Sequence, residues 1–142
     1  VTATDQSEEA ITLAKENALV LNLSSRVTFI KGNWFEPLDE GARFDLIVSN
    51  PPYLTEAEMQ TAEPEVIDHE PHGALASGQE GLDDLSLLLK SVPKHLAEGC
   101  LLALETGIGQ AEVIKEMALE VSLYGQSVED LISKRPRFFF AS

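Results

Sequence analysis

Only one cysteine, Cys100, stands among the 142 residues. A lone thiol excludes an intrachain disulfide framework and cannot by itself build a structural zinc site. No run of about eighteen apolar residues is present, so the sequence offers no membrane-spanning helix. The opening VTATDQSEEA has neither a basic region nor a long apolar stretch and does not read as a signal peptide. Bases are scarce as well: Lys and Arg number 10 against 24 Asp and Glu, for a formal net charge of -14. A protein that grips nucleic acid by its phosphates needs a basic face, which this composition hardly offers. The expected partners are therefore small molecules or proteins, with no direct nucleic acid and no membrane, and the expected location is cytoplasmic. What is present is the balance of one globular domain, with 44% hydrophobic and 24% charged residues.

The segments alternate in type. Val1–Asp5 is short and β-leaning. Ser7 followed by Glu8 and Glu9 reads as a capped helix start, and Ile11, Ala14, Ala18 and Leu21 continue a helical stripe. Val27–Lys31 and Phe44–Ser49 read as strands, the second with an apolar tail that suits a buried parallel strand. From Asn50 to Gly81 prolines, glycines and acids replace any core stripe, apart from a helical turn near Glu56–Thr61. Leu82–Leu96 resumes a helix with Leu85, Leu88, Leu89 and Val92 on one face, perturbed late by Pro93 and stopped by Gly99. Cys100–Glu105 is a buried strand with Cys100 in its interior. Gly109–Tyr124 is a helix with Val113, Met117, Ala118 and Val121 inward. Ser127–Ile132 and Arg137–Ala141 close the chain as an antiparallel hairpin around SKRPR. This order predicts an α/β layer fold with a mostly parallel sheet and the hairpin at one edge.

The strongest motif is SNPPY, Ser49–Tyr53, directly after a predicted parallel strand. Ligands in open α/β sheets bind beyond the carboxyl ends of the strands. Asn50 offers an acceptor and a donor. Pro51 and Pro52 present carbonyls on a stiff frame without N–H groups. Tyr53 adds a flat face with a polar tip. Together they describe a slot for a planar NH2 group, with two acceptors for its hydrogens and a ring over its plane. ETGIGQAE, Glu105–Glu112, imitates a Gly-rich cofactor turn, but a lone GxG is weak evidence. His69 and His72 lack further ligands nearby, so no metal site is expected. Glu56, Glu58, Glu63, Glu65, Asp68 and Glu70 make the long loop strongly acidic, which suits either a solvated segment or a docking surface for a protein substrate.

On GNWFEPL (Gly32–Leu38), FDLIVSNPPYL (Phe44–Leu54) and HEPHGALASGQEGLD (His69–Asp83), the chain resembles the HemK/PrmC family of release factor glutamine methyltransferases over nearly its whole length. The resemblance implies a Rossmann-like class I fold and S-adenosylmethionine as cofactor. The implied reaction methylates the side-chain amide nitrogen of a glutamine in a peptide-chain release factor. It assigns Asn50, Pro51 and Tyr53 to catalysis and Asn50, Pro51, Pro52 and Tyr53 to the acceptor amide. Asp5, Asn33, Trp34 and Asn50 are assigned to the cofactor. Asp5 would take the ribose hydroxyls and Asn33 and Trp34 the adenine, although Asp is commoner than Asn in the family at position 33. Asp5 and Trp34 are expected to converge near Asn50.

The family's Gly-rich loop and its N-terminal helical domain would precede Val1. The chain then reads as the C-terminal part of a catalytic domain lacking its first βα unit, whose strand would lie between Val1–Asp5 and Phe44–Ser49. Other readings stay open: a ribosomal-protein glutamine or adenine N6 as acceptor, a non-catalytic binding module, or a dinucleotide-dependent oxidoreductase built on ETGIGQAE.

Overall fold

The computed structural model describes residues 1–63, 65 and 69–142. The chain divides into two compact units, Val1–Ala42 and Arg43–Ser142.

The first unit is a strand–helix–strand: β1 (Thr2–Asp5), α1 (Glu8–Val20) and β2 (Thr28–Lys31). β1 and β2 pair in parallel, from Thr2 opposite Thr28 to Asp5 opposite Lys31. Ser7 caps α1, its hydroxyl accepting from the Ala10 N–H at 3.1 Å. Glu8 and Glu9 sit in the first turn, where the helix end is electropositive. Ile11 and Ala18 are buried as the periodicity predicts. Leu21 departs from it and is 64% exposed. The helix has ended one residue earlier; Asn22 turns with φ 57°, and the Leu23 N–H returns to the Ala18 carbonyl at 2.7 Å.

The second unit holds a four-stranded sheet in the order β3-β4-β6-β5, made of β3 (Phe44–Ser49), β4 (Leu96–Glu105), β5 (Gly125–Glu129) and β6 (Pro136–Ala141). β3 and β4 are parallel, and β6 runs antiparallel to both β4 and β5. Three of the four strands therefore point the same way, with β6 reversed. The helices are α2 (Glu56–Gln60), α3 (Asp83–Ser91) and α4 (Ala111–Glu120). Leu85, Leu88, Leu89 and Val92 are all buried, as are Leu102 and Leu104 of β4 and Phe139 and Ala141 of β6. α4 packs on β5 and β6, and α3 packs on α4. Each such leucine contributes roughly 1.5–3 kcal/mol by burial.

Four expectations change. β3 is not buried on both faces: Leu46 is 53% and Val48 70% exposed, and only Ile47 turns into the core. Side chains alternate along a strand, so Leu46 and Val48 share the face opposite Ile47, and that face is left open. Gly99 does not stop a helix. The helix gives way at Ser91 to a 3-10 turn, Val92–Lys94, because Pro93 lacks an N–H and crowds the preceding turn. Gly99, with φ 73°, lies inside β4 at a break in register between the Phe44–Leu96 and Leu46–Leu101 pairs. The inward face of α4 centres on Ile114 and Ala118, with Val113, Met117 and Val121 half-buried beside it. Cys100 is half-buried, beside the Asp45 carboxylate at 3.8 Å.

Candidate functional site

β3 ends at Ser49, and the next four residues are the motif. Asn50 is exposed, Pro51 and Pro52 are buried, and Tyr53 is half-buried. The chain leaves the strand along a fixed track because it is stitched to residues 75–78. The Tyr53 and Leu54 N–H groups donate to the Leu75 carbonyl at 3.1 and 2.9 Å, and the Ser77 N–H donates to the Leu54 carbonyl at 3.0 Å. Leu54 and Ala76 form a parallel bridge. The two most specific stretches of the sequence are thus partners in one backbone ladder. Gly81 lies against it. Its φ is 69°, and a Cβ there would lie 2.2 Å from the Tyr53 carbonyl oxygen, so no side chain fits.

Both ends of Tyr53 are held. Its hydroxyl donates to Glu105 Oε1 at 3.2 Å and accepts from Arg137 Nη2 at 2.9 Å. Arg137 Nη2 also makes a short bond to Glu105 Oε1. The guanidinium lies 5.4 Å from the ring centroid. Burial pushes the Tyr53 phenol above its ordinary value; the Arg137 charge opposes this and the Glu105 carboxylate adds to it. The bond to Glu105 holds Arg137 firmly protonated. At the main chain, Gln110 Nε2 donates to the carbonyls of Tyr53 and Gly81, each at 3.1 Å. Gln110 Oε1 accepts from the Gly107 N–H at 2.8 Å. The ETGIGQAE turn is therefore a support for Tyr53, and its Gly107 N–H is already taken. Sequence reading missed Glu105, Gln110 and Arg137 as site residues. Glu105 was signalled only as an acid-x-Gly at a strand end, and Gln110 and Arg137 carried no signal.

In the loop that follows, Thr55 caps α2 in a reciprocal box. The Glu58 N–H donates to Thr55 Oγ1 at 3.1 Å, and the Thr55 N–H donates to Glu58 Oε2 at 2.8 Å. Hydrogen bonds from the Thr55 backbone N–H and hydroxyl hold the Glu58 carboxyl below its ordinary range. Ser77 caps α3 from the loop, accepting from the Asp84 N–H at 2.7 Å. His72 pairs with Glu56 at 3.4 Å. Asp68 of the acidic run lies outside the described residues.

In the first unit, Asp5 and the Asn33–Trp34 pair follow adjacent parallel strands, at their carboxyl ends. The Asp5 carbonyl accepts from the Gly32 N–H at 2.9 Å, which joins the two exits. Asp5 is not the helix cap. It is exposed, and its Oδ1 accepts from the Ser7 N–H at 2.8 Å. Gly32 is pressed against Pro37, whose ring carbons stand 2.6–2.8 Å from where a Cβ would be. Trp34 is half-buried with φ 48°, a left-handed conformation uncommon for a bulky residue. A carboxylate, an amide and an indole at adjacent strand ends suit a ribose diol and an adenine, so the donor set fits the nucleoside half of S-adenosylmethionine. Asn50 lies in the second unit.

Parallel strands joined through helices, in the first unit and between β3 and β4 of the second, define an α/β, Rossmann-like nucleotide-cofactor class. The chain belongs to the methyltransferase domain family, whose model matches residues 1–136. It is 45% identical over 117 residues to the release factor glutamine methyltransferase of Geobacter sulfurreducens, an alignment covering 82% of this chain and 40% of that protein. It is 39% identical over 142 residues to the enzyme of the same name from Moorella thermoacetica, covering 99% of this chain and 50% of that one. The chain thus spans half or less of the length of these relatives. Among solved structures it resembles a methyltransferase from Pyrococcus furiosus with a TM-score of 0.67 and 22% identity, over 99% of this chain and 61% of that one. The fold is that of S-adenosylmethionine-dependent class I methyltransferases.

Proposed function

We propose that the protein containing this chain transfers a methyl group from S-adenosylmethionine to the side-chain amide nitrogen of a glutamine in a peptide-chain release factor. The observation that carries the reading is the Asn-Pro-Pro-Tyr segment at the carboxyl end of β3, whose exit is fastened to residues 75–78. The similarity to enzymes of that name supports it. The acid excess speaks against a DNA acceptor.

The chemical difficulty is that an amide nitrogen is a poor nucleophile, its lone pair delocalised into the carbonyl. The Asn50 side-chain oxygen and the Pro51 carbonyl accept its two N–H bonds and aim the nitrogen. Tyr53 and Pro52 pack on the amide plane. Asp5 takes the ribose hydroxyls, Asn33 and Trp34 take the adenine, and Asn50 contributes to the cofactor as well. Bound S-adenosylmethionine would supply the electrophilic methyl group: the N–C bond would form as the S–C bond breaks, S-adenosylhomocysteine would leave, and the amide nitrogen would release one of its N–H protons to solvent. Holding the reactants in line provides much of the acceleration. The test is methyl transfer from labelled S-adenosylmethionine by the natural-length protein to purified release factor, ribosomes and DNA. Label on a release-factor glutamine alone is expected; label on DNA or ribosomes alone overturns the choice of acceptor.

A further inference from the structure

We infer that Glu105, Gln110 and Arg137 are positioning residues that lock Tyr53 at both its hydroxyl and its carbonyl, so that the ring is preset as the cover of the acceptor amide. The inference rests on the reading of Asn50–Tyr53 given above and adds three residues to that site.

A tyrosine at the edge of a loop has two side-chain torsions and a backbone free to shift. A ring that must cover a planar group while its nitrogen attacks gains from having both removed beforehand. The hydroxyl is fixed by a closed triangle. It donates to Glu105 Oε1 at 3.2 Å, accepts from Arg137 Nη2 at 2.9 Å, and these two bond each other. The Arg137 and Glu105 side chains are 28% and 27% exposed, so this ion pair is better shielded than a surface pair. The carbonyl is fixed by Gln110, whose amide spans Tyr53, Gly81 and Gly107. The three supports come from the end of β4, the turn before α4 and the start of β6. None lies in the motif loop. Gln110 is buried, and a group so placed with all of its polar atoms matched serves one arrangement only.

The test uses the natural-length protein with a release-factor substrate. Arg137→Lys keeps the charge and loses the planar fork, and Glu105→Gln keeps an acceptor and loses the charge. Both are expected to lower kcat on the order of tenfold or more, with KM for the protein substrate and the cofactor Kd moved less than about twofold. In a Tyr53→Phe background Arg137→Lys should have little further effect, because the tip it holds is gone; additive losses overturn the inference. A second readout is independent of activity. With [13Cζ]tyrosine labelling, the Tyr53 resonance is the one missing from Tyr53→Phe. It should shift in Arg137→Lys and Glu105→Gln and stay in Glu120→Gln, at the far end of α4. A resonance unmoved by either variant, or a moved resonance with unchanged kcat, overturns the inference. If the wild-type protein methylates no release factor while the resonance shifts as expected, the assigned acceptor fails and the lock on Tyr53 stands.

Discussion

Asn50 and Tyr53 belong to the same proposed acceptor site but differ in how the protein treats them. Asn50 is exposed at the strand end, whereas Tyr53 is bonded at its tip and its carbonyl. Asn50→Ala in the natural-length enzyme is therefore expected to spare the fold and most cofactor affinity. A lost neutral hydrogen bond costs roughly 0.5–1.5 kcal/mol in binding, whereas a misaimed nucleophile loses on the order of a hundredfold in rate. Calorimetry with S-adenosylmethionine beside single-turnover kinetics checks this; a surviving kcat with collapsed cofactor binding would reverse the assignment. Tyr53 gives a prediction in pH. Its folded pKa is raised, chiefly by burial, above the unfolded phenol value near 10. The stabilisation is fully present below the unfolded value and is lost as pH rises through the folded one. Urea unfolding should show stability falling above pH of about 10, and Tyr53→Phe should remove that part of the fall. At neutral pH the phenol stays protonated and remains a donor to Glu105.

The short helix α2 begins where the motif loop ends, and the box between Thr55 and Glu58 sets its start. Thr55→Ala removes the acceptor for the Glu58 N–H and should cost about 1 kcal/mol, measured by chemical denaturation. Protonation of Glu58 acts on the same cap. Its folded pKa is lowered by bonds from Thr55, so its contribution is present above the usual glutamate range and disappears as pH falls through the folded value. The difference between wild type and Thr55→Ala should therefore shrink in acid. At α3 the larger effect is packing. Leu88 is 2% exposed among Leu85, Leu89 and Val92, so Leu88→Ala should cost about 2–5 kcal/mol in the same assay.

For the whole molecule, the sheets are separate: β1 pairs only β2, and β3 pairs only β4, among the described residues. Leu46 and Val48 expose apolar surface on β3. We propose that the natural-length protein adds a strand and a helix, with a Gly-rich loop between them, that cover the open edge and outer face of β3. Open strand edges invite aggregation, and parallel strands are normally covered on both faces. Residues 1–142 expressed alone are then expected to unfold at low temperature and to bind S-adenosylmethionine weakly, by thermal denaturation and calorimetry. A cooperative transition well above room temperature with micromolar affinity would show that the added unit is dispensable.

By itself the sequence determined most of the elements and singled out the motif. Periodicity at Leu85, Leu88, Leu89 and Val92, the Ser7 cap and the β-branched stretches are local properties, carried by spacing and torsion alone. So is the Asn-Pro-Pro-Tyr motif, on which the proposed slot for a planar amide rests. Only the tertiary structure decided that Leu46 and Val48 face outward, since alternation does not say which face another layer covers. It alone placed Gly99 inside a strand, because a left-handed glycine serves a bulge as well as a helix stop. It also decided what ETGIGQAE does. Glu105, Gln110 and Arg137 are separated from Tyr53 by 52, 57 and 84 residues. A hydrogen bond over such distances in sequence leaves no periodic trace; it exists because β6 lies against β4 and the turn folds back on the motif loop.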